Sequence, residues 1–462
     1  MAAPLLERLR ELRDEGPLRM HMPGHKGRLT IPELEGLAGL DFTELPPTGD
    51  LFAGEGPVME AQALWAGVFG MDCCLFLTGG ATQGIHAALT LAAAPGGTVL
   101  ADRDSHRSVY HAMALLDLRP VYLRRPWWEA GGVPGPVIPS QVENVLKNHP
   151  EIKTVCITSP SYYGVLSDVE KIGEICRRFG CVLVVDGAHG AHLPFLGMDC
   201  LRGADLAVVS AHKTLPAPGQ TALLLARGRE QRELRRAGSL YGSSSPSYPL
   251  MAGLDACRDW MEREGAARYR ETIRLAARLR RRFAALEEAG GVRLDPGRLV
   301  LWAEDGHEAM GRLQALGIYP EMADARHVVC ILTCQDGAAE LERLERGLEQ
   351  VLSGGGAAGA APEAPPPPLP ALTPRQALLE RPRRRVSLEA AEGLVCAQQV
   401  APYPPGVPVL APGEEITKKH LAYLQKIGYN THKDVDVVEN ESPVRIRGDR
   451  VGPSVLWHQE EL

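Results

Sequence analysis

Between about Val58 and Leu225 the chain alternates short apolar runs with helical patterns, and no other feature limits its fold as much. The runs are Cys73–Leu77, Thr98–Asp102, Pro120–Leu123, Thr154–Thr158, Val182–Asp186, Leu206–Ser210 and Thr221–Leu225. Strand and helix patterns in strict alternation predict an α/β domain with a mostly parallel sheet, covered by helices on both faces. At 462 residues the chain is too long for one ordinary domain. An N-terminal segment (1–57) carries an amphipathic helix and the loop Met22-Pro-Gly-His-Lys-Gly27, and a large α/β domain (58–229) follows. A smaller α+β domain (230–352) is expected next, with a long helix over Ala256–Ala289, strands near Leu299–Trp302 and His327–Thr333, and a helix ending near Val351. Residues 353–370 are rich in Gly, Ala and Pro and read as a linker. A small C-terminal domain (371–462) completes the chain.

Composition excludes several classes. Hydrophobic residues at 45% and charged residues at 23% are the balance of a soluble globular protein. A net charge of −7 gives no electrostatic reason to expect nucleic acid or an anionic membrane as partner. No apolar run approaches a membrane span in length. Ten cysteines lie scattered without metal-ligand spacing, several inside apolar strands, so no metal site is expected and a reducing cytoplasm is the simplest compartment.

Chemistry gathers where the strands end. The run Leu206–Val209 stops at Ser210-Ala-His212-Lys213-Thr214, and Cys181–Val185 stops at Asp186-Gly-Ala188-His189-Gly-Ala-His192. Open α/β sheets bind ligands at the carboxyl ends of their strands. A lysine there can form a Schiff base with an aldehyde cofactor, and a buried aspartate can keep a pyridine nitrogen protonated, which together suggest pyridoxal phosphate. Taken alone, such a lysine is usually a solvated strand end and such an aspartate usually a cap for the next helix. A phosphate cradle is the next requirement. Gly79-Gly80-Ala81-Thr82 follows a strand and opens an apolar helix, where backbone N–H groups lack partners. His106, after the strand at Thr98–Asp102, is placed to stack on a flat ring, with His111 as support, and Tyr162-Tyr163-Gly164 line the same rim.

These residues make the chain resemble the Orn/Lys/Arg decarboxylases of the aspartate-aminotransferase-like fold, in the form of the shorter bacterial members without an N-terminal wing domain. The matching motifs are Met22–Lys26, Gly49–Leu51, Gly56-Pro57 through Gln62, Gly80–Thr82, Asp102–His106, Ser159–Gly164, Asp186–His192, Ser210–Pro216, Ser243–Tyr248, Tyr403–Gly406 and Pro412–Glu414. The resemblance implies that Lys213 is the Schiff-base lysine and Asp186 the partner of the pyridine nitrogen. It implies that His106 stacks on the ring, that Ala188 packs beneath it, and that Gly80, Ala81 and Thr82 hold the phosphate. Ser210, His212 and His189 are further cofactor contacts, His212 also a catalytic candidate. Ser244 or Ser245 would reach a neighbouring subunit's cofactor, making a homodimer the smallest active unit. Two departures stand out: Ala81 where relatives often carry a hydroxyl, and Gly187 in place of the usual glutamate.

The implied reaction is α-decarboxylation of a basic amino acid (arginine, lysine or ornithine), in polyamine biosynthesis. An aminotransferase of a basic amino acid, and a PLP-binding relative without turnover, are the alternatives, because one fold hosts several chemistries. Glu44, Asp50, Glu55 and Glu414 are candidates to meet the substrate's distal cation, each with a second reading as a solvated or capping carboxylate. The His25-Lys26 pair is read either as lining the entrance or as stabilising its own loop.

Overall fold

The computed structural model describes residues 3–23, 25–28, 34–352, 364–401 and 408–439. Seven strands form the central sheet: β1 (Cys73–Leu77), β2 (Thr98–Asp102), β3 (Arg119–Leu123), β4 (Thr154–Thr158), β5 (Val182–Asp186), β6 (Leu206–Val209) and β7 (Ala222–Ala226). Their order is β1-β7-β6-β5-β4-β2-β3. The pairs β6–β5, β5–β4, β4–β2 and β2–β3 are parallel, while β7 runs antiparallel to both β6 and β1. With β7 reversed between them, β1 points the same way as β6, so every strand except β7 opens its carboxyl end on one edge. Residues of β1, β6 and β7 are buried without exception. Burial on both faces is why these segments read as continuous apolar runs rather than alternating ones.

Helix α1 (Pro4–Asp14) buries Leu5, Leu9 and Leu12. Helix α2 (Gly80–Ala92) follows β1, and α3 (Arg107–Leu115) lies between β2 and β3. The regular alternation breaks at the functional edge. Only a 3-10 turn, Leu193–Leu196, separates β5 from β6, and the single-turn α4 (Ala211–Thr214) lies between β6 and β7.

The expected long helix is displaced. Helix α5 (Tyr248–Trp260) runs through a π-turn at Met261–Gly265 into α6 (Ala266–Arg282), so it starts earlier than Ala256 and stops before Ala289. It ends where the chain turns to pair with a strand: Leu286 N–H donates to Val300 O (2.8 Å), and Ala285 bridges Leu301. Beyond it, β8 (Arg298–Trp302), β9 (Met322–Ala323) and β10 (His327–Ile331) form an antiparallel sheet in the order β8-β10-β9. Helices α7 (Gly306–Ala315) and α8 (Ala338–Val351) pack on it around Leu299, Leu301, Leu313, Val328, Leu341 and Leu348, a core separate from that of the large sheet. Part of the linker segment and the Tyr403–Gly406 motif lie outside the described residues. Leu369 and Pro370 are ordered against the following segment: Glu415 N–H donates to Leu369 O (2.8 Å) and Pro370 bridges Glu414. Strands β11 (Arg383–Ser387) and β12 (Asp434–Val438) then pair antiparallel over a third core that includes Leu388, Val400, Leu410 and Leu424.

One ion pair ties this last unit to the large sheet. Arg103, just past β2, donates to both carboxylate oxygens of Glu414 (2.8 and 2.7 Å) and to Pro408 O (3.0 Å). Both side chains are almost completely buried. Removing one partner of such a pair leaves a charge in low dielectric, which costs about 3–5 kcal/mol. Glu414→Ala should therefore lower the thermal midpoint sharply and loosen the C-terminal unit; an unchanged melting curve would contradict this account.

Candidate active site

The open edge of the sheet collects the residues that the sequence singles out. After β1 the chain turns through Thr78-Gly79 into α2, and Gly80 takes φ +73°, a left-handed conformation that side chains disfavour. Gly80 and Ala81 are half-buried and Thr82 is exposed, at a helix start whose first amides have no intrahelical acceptor. Gly79 N–H bonds to Gln83 Oε1 (2.9 Å), and Gln83 Nε2 reaches Gly238 O (3.0 Å), which fixes the turn.

Asp186 is the last residue of β5, and its Oδ1 accepts the Ala188 N–H (3.1 Å). Burial raises its pKa, opposed by the positive charge of Lys213. Lys213 lies in α4, immediately beyond β6, with its Nζ 3.3 Å from His189 Nε2. Burial lowers the lysine's pKa, with Asp186 acting against the shift and Arg298 adding to it. A carboxylate and an amine at the ends of neighbouring strands thus feel one another's charge. Ala188 is buried beside them. His189 is also buried, and burial followed by the charges of Lys213 and Arg298 keeps it well below the usual imidazole range. His106 caps α3, its Nδ1 accepting the Ser108 N–H (3.2 Å), and more than a third of its surface stays open. The crevice walls and then Lys213 draw its pKa down as well.

The remaining candidates fall into two groups. His212 Nδ1 is bound by Thr221 O (3.0 Å) and Ser210 Oγ (3.2 Å), which holds the turn leading to Lys213. Ser244 and Ser245 sit on the exposed loop before α5, where Ser245 N–H donates to Ser243 Oγ (3.2 Å), and among the described residues no hydrogen bond joins them to the crevice. Gly187 N–H donates to Val208 O (2.8 Å), and a Cβ there would approach Leu201 and Val209 to 3.3 Å. Glycine suits that tight position. His25 uses both ring nitrogens locally, on Asp41 (3.1 Å) and Gly27 N–H (3.0 Å), and Lys26 bonds to His21 O, so this loop holds itself together.

Of the acids considered for a distal cation, Glu414 is withdrawn, because Arg103 occupies both its oxygens. Asp50 Oδ1 accepts the N–H groups of Phe52 and Ala53 (2.8 and 2.9 Å) and serves its own turn. Glu55 is exposed, and Glu44 keeps a buried Oε1 without a partner among the described residues.

Sequence reasoning missed the wall supplied by the smaller unit. Arg298, at the start of β8, is buried, donates from Nη2 to His189 Nδ1 (3.2 Å), and leaves Nε and Nη1 without partners among the described residues. Gly164 (φ +84°) makes room for it: a Cβ there would lie 2.8 Å from Arg298 Cβ. Tyr162 lays its ring against His189 (4.7 Å) and donates its hydroxyl to Glu321 (2.6 Å). His192 Nε2 pairs with Asp295 Oδ1 (2.8 Å) and stacks on Tyr269 (4.8 Å). The available signal was the short segment Asp295-Pro-Gly-Arg298 opening a strand, which gives no hint of its partner more than a hundred residues away.

An open α/β sheet with lysine, aspartate and a helix N-terminus on one edge defines the architecture of PLP-dependent enzymes of the aminotransferase fold. Comparisons with known proteins make this specific. Residues 3–300 match the Orn/Lys/Arg decarboxylase major domain, and residues 363–433 match that family's C-terminal domain. The chain belongs to the Orn/Lys/Arg decarboxylase family, a PLP-dependent group of decarboxylases of basic amino acids. It is 30% identical to the uncharacterized protein YaaO of Bacillus subtilis over 94% of this chain and 96% of that one. It is 28% identical to the arginine decarboxylase of the same organism, over 92% and 93%. The lysine decarboxylase LdcF of Francisella novicida shares the fold, with a TM-score of 0.79 at 20% identity, over 95% of this chain and 81% of that one. No described helix is long and apolar enough to cross a membrane.

The Asp295–His192 pair makes a testable contribution to stability. Burial alone would raise Asp295, but His192, then Arg298 and the Gly297 N–H, outweigh it and hold the carboxyl below its ordinary range. A depressed carboxylate contributes stability that is full above the unfolded value of about 3.9 and is lost as pH falls through the folded one. Asp295→Asn should destabilise the protein by about 1–3 kcal/mol at neutral pH and flatten that acid limb, as read by urea unfolding across pH. A variant with the wild-type acid limb would contradict the assignment.

Proposed function

We propose that this protein is an arginine decarboxylase, converting arginine to agmatine and carbon dioxide with pyridoxal phosphate held at Lys213, as a source of polyamine precursor. The observation that carries the reading is the Lys213 amine and Asp186 carboxylate at the ends of paired strands β6 and β5. Four relatives matched over nearly all of this chain are named arginine decarboxylases, at 27–28% identity. The ornithine and lysine decarboxylases among the relatives align over 45–58% of it, which favours arginine.

The crevice fits the cofactor. It offers a half-buried amine, a buried carboxylate, an imidazole with an open face, and a glycine-led helix N-terminus suited to a phosphate. When bound, pyridoxal phosphate supplies an electron sink for the pair released as the Cα–carboxylate bond breaks. Lys213 provides the amine that anchors it. Asp186 would hold a positive charge on the pyridine nitrogen, because an ion pair favours a base's charged form. His106 and Ala188 would hold the ring, and Gly80, Ala81 and Thr82 would hold the phosphate. With Ala81 lacking a hydroxyl, its contribution comes from the backbone. His212 and Ser210 support the lysine turn from behind, and His189 touches the amine itself. The exposed Ser244-Ser245 loop is suited to reach a second subunit, giving a homodimer with shared sites. All ten cysteines are unpaired and nine are buried, which suits a reducing cytoplasm.

Arg298 favours a second reading. A buried cation beside the lysine would stabilise a substrate α-carboxylate, which slows its loss and suits amino-group transfer. Purified, PLP-loaded protein offered arginine, lysine and ornithine at equal concentration separates the two. We expect agmatine with an equal amount of carbon dioxide, and loss of at least a thousandfold in Lys213→Ala. Keto acid without carbon dioxide would make the protein an aminotransferase, and a different amine would move the substrate assignment. Asp186→Ala should retain some cofactor but lose about 10²–10⁴ in turnover; near-wild-type turnover would remove Asp186 from its role.

A further inference from the structure

From the hydrogen bonding around His189 we infer that Arg298 is a positioning residue: it locks His189 as the Nε2–H tautomer, and His189 in turn holds Lys213 as the uncharged amine. The inference deepens the proposed function, resting on Lys213 as the reactive amine. Arg298 Nη2 lies 3.2 Å from His189 Nδ1, and Lys213 Nζ lies 3.3 Å from His189 Nε2. A guanidinium has donors and no acceptor. His189 Nδ1 must therefore accept, and a neutral ring then carries its proton on Nε2. That N–H points at Lys213 Nζ, which can accept only through a lone pair. An ammonium has none. The opposite assignment sets an N–H of the ring against an N–H of Arg298, and an imidazolium would set the ring against a cation on each side.

The surroundings agree. His189 is 5% exposed and Arg298 2%, so water cannot easily replace either contact. Tyr162 covers the ring at 4.7 Å and is itself tied to Glu321, which fixes the imidazole plane. The charged and titratable groups around the pair come from every neighbouring element: Asp186 from β5, His192 from the loop after it, His106 from the cap of α3, Arg298 from β8 and Glu321 before β9. Asp186 and Glu321 favour a charged lysine, while Arg298 and burial oppose it. The hydrogen-bond relay adds to the second side. Its chemical consequence is direct, because a neutral amine adds to an aldehyde and an ammonium does not. Arg298, from the smaller unit, would thus prepare the lysine of the large one without touching it.

The test uses cofactor-free full-length protein, so it stands or falls apart from the decarboxylase assay. Nitrogen-15 NMR of histidine-labelled protein, with the His189 signals assigned by their loss in His189→Gln, reads the tautomer directly at neutral pH. We expect Nε2 protonated and Nδ1 unprotonated. In Arg298→Met the ring should shift toward the Nδ1–H form. Modification of Lys213 by trinitrobenzenesulfonate, followed on its peptide by mass spectrometry, should then slow by at least tenfold at neutral pH. A residue that only supports the fold would leave the tautomer where it was. A proton on Nδ1 in the wild-type protein, a doubly protonated ring, or a tautomer indifferent to Arg298 would each overturn the inference, whatever substrate the enzyme takes. If Arg298→Met does not fold, the wild-type tautomer alone decides.

Discussion

The parallel pairing of β5 with β6, in the register that sets Asp186 beside Val208, is the constraint on which the crevice depends. Side chains along a strand alternate between faces, so a slip of one residue would turn Asp186 to the opposite side of the sheet. In the observed register the strand delivers its carboxylate at the edge where α4 delivers Lys213. Burial works against the charged form of each group, and the nearness of the other works against that shift.

A second set of contacts joins this edge to the smaller unit. The loop from Asp186 to His192 bonds to Arg298 through His189 and to Asp295 through His192. The loop after β4 adds Tyr162 on Glu321 and Tyr163 on Asp324 (both 2.6 Å). The crevice is therefore walled from two units whose cores are separate. On the far side, Arg103 and Glu414 connect the C-terminal unit to the stretch that leads to His106. The site thus draws on two hydrophobic cores, and the third is attached to it only through the Arg103–Glu414 pair and the backbone oxygens beside it.

Much of this was legible from residue pattern. All seven strands of the large sheet were placed within a residue, because each is a short, largely apolar run bounded by polar or glycine-rich turns, and all but the edge strand β3 are almost wholly buried. The strand-end positions of Asp186, Lys213, His106 and the Gly80 turn followed from the same periodicity. What pattern could not show was pairing at long range. Arg298 reads as an ordinary charged residue opening a strand, and only the fold brings it to His189, 109 residues away in sequence. Glu414 looked available to a substrate because its partner, Arg103, lies 311 residues earlier. The helix expected over Ala256–Ala289 ended early for a similar reason: Ala285 and Leu286 pair with β8, and tertiary pairing outweighed local helix propensity.

The central claim is that Lys213 is the residue that carries the cofactor. It is tested most directly by reducing the PLP-loaded protein with borohydride, digesting it, and locating the added pyridoxyl mass. The account predicts one labelled peptide, containing Lys213, and no label after Lys213→Ala. Label on Lys26 or any other lysine, or undiminished label in the variant, would contradict it.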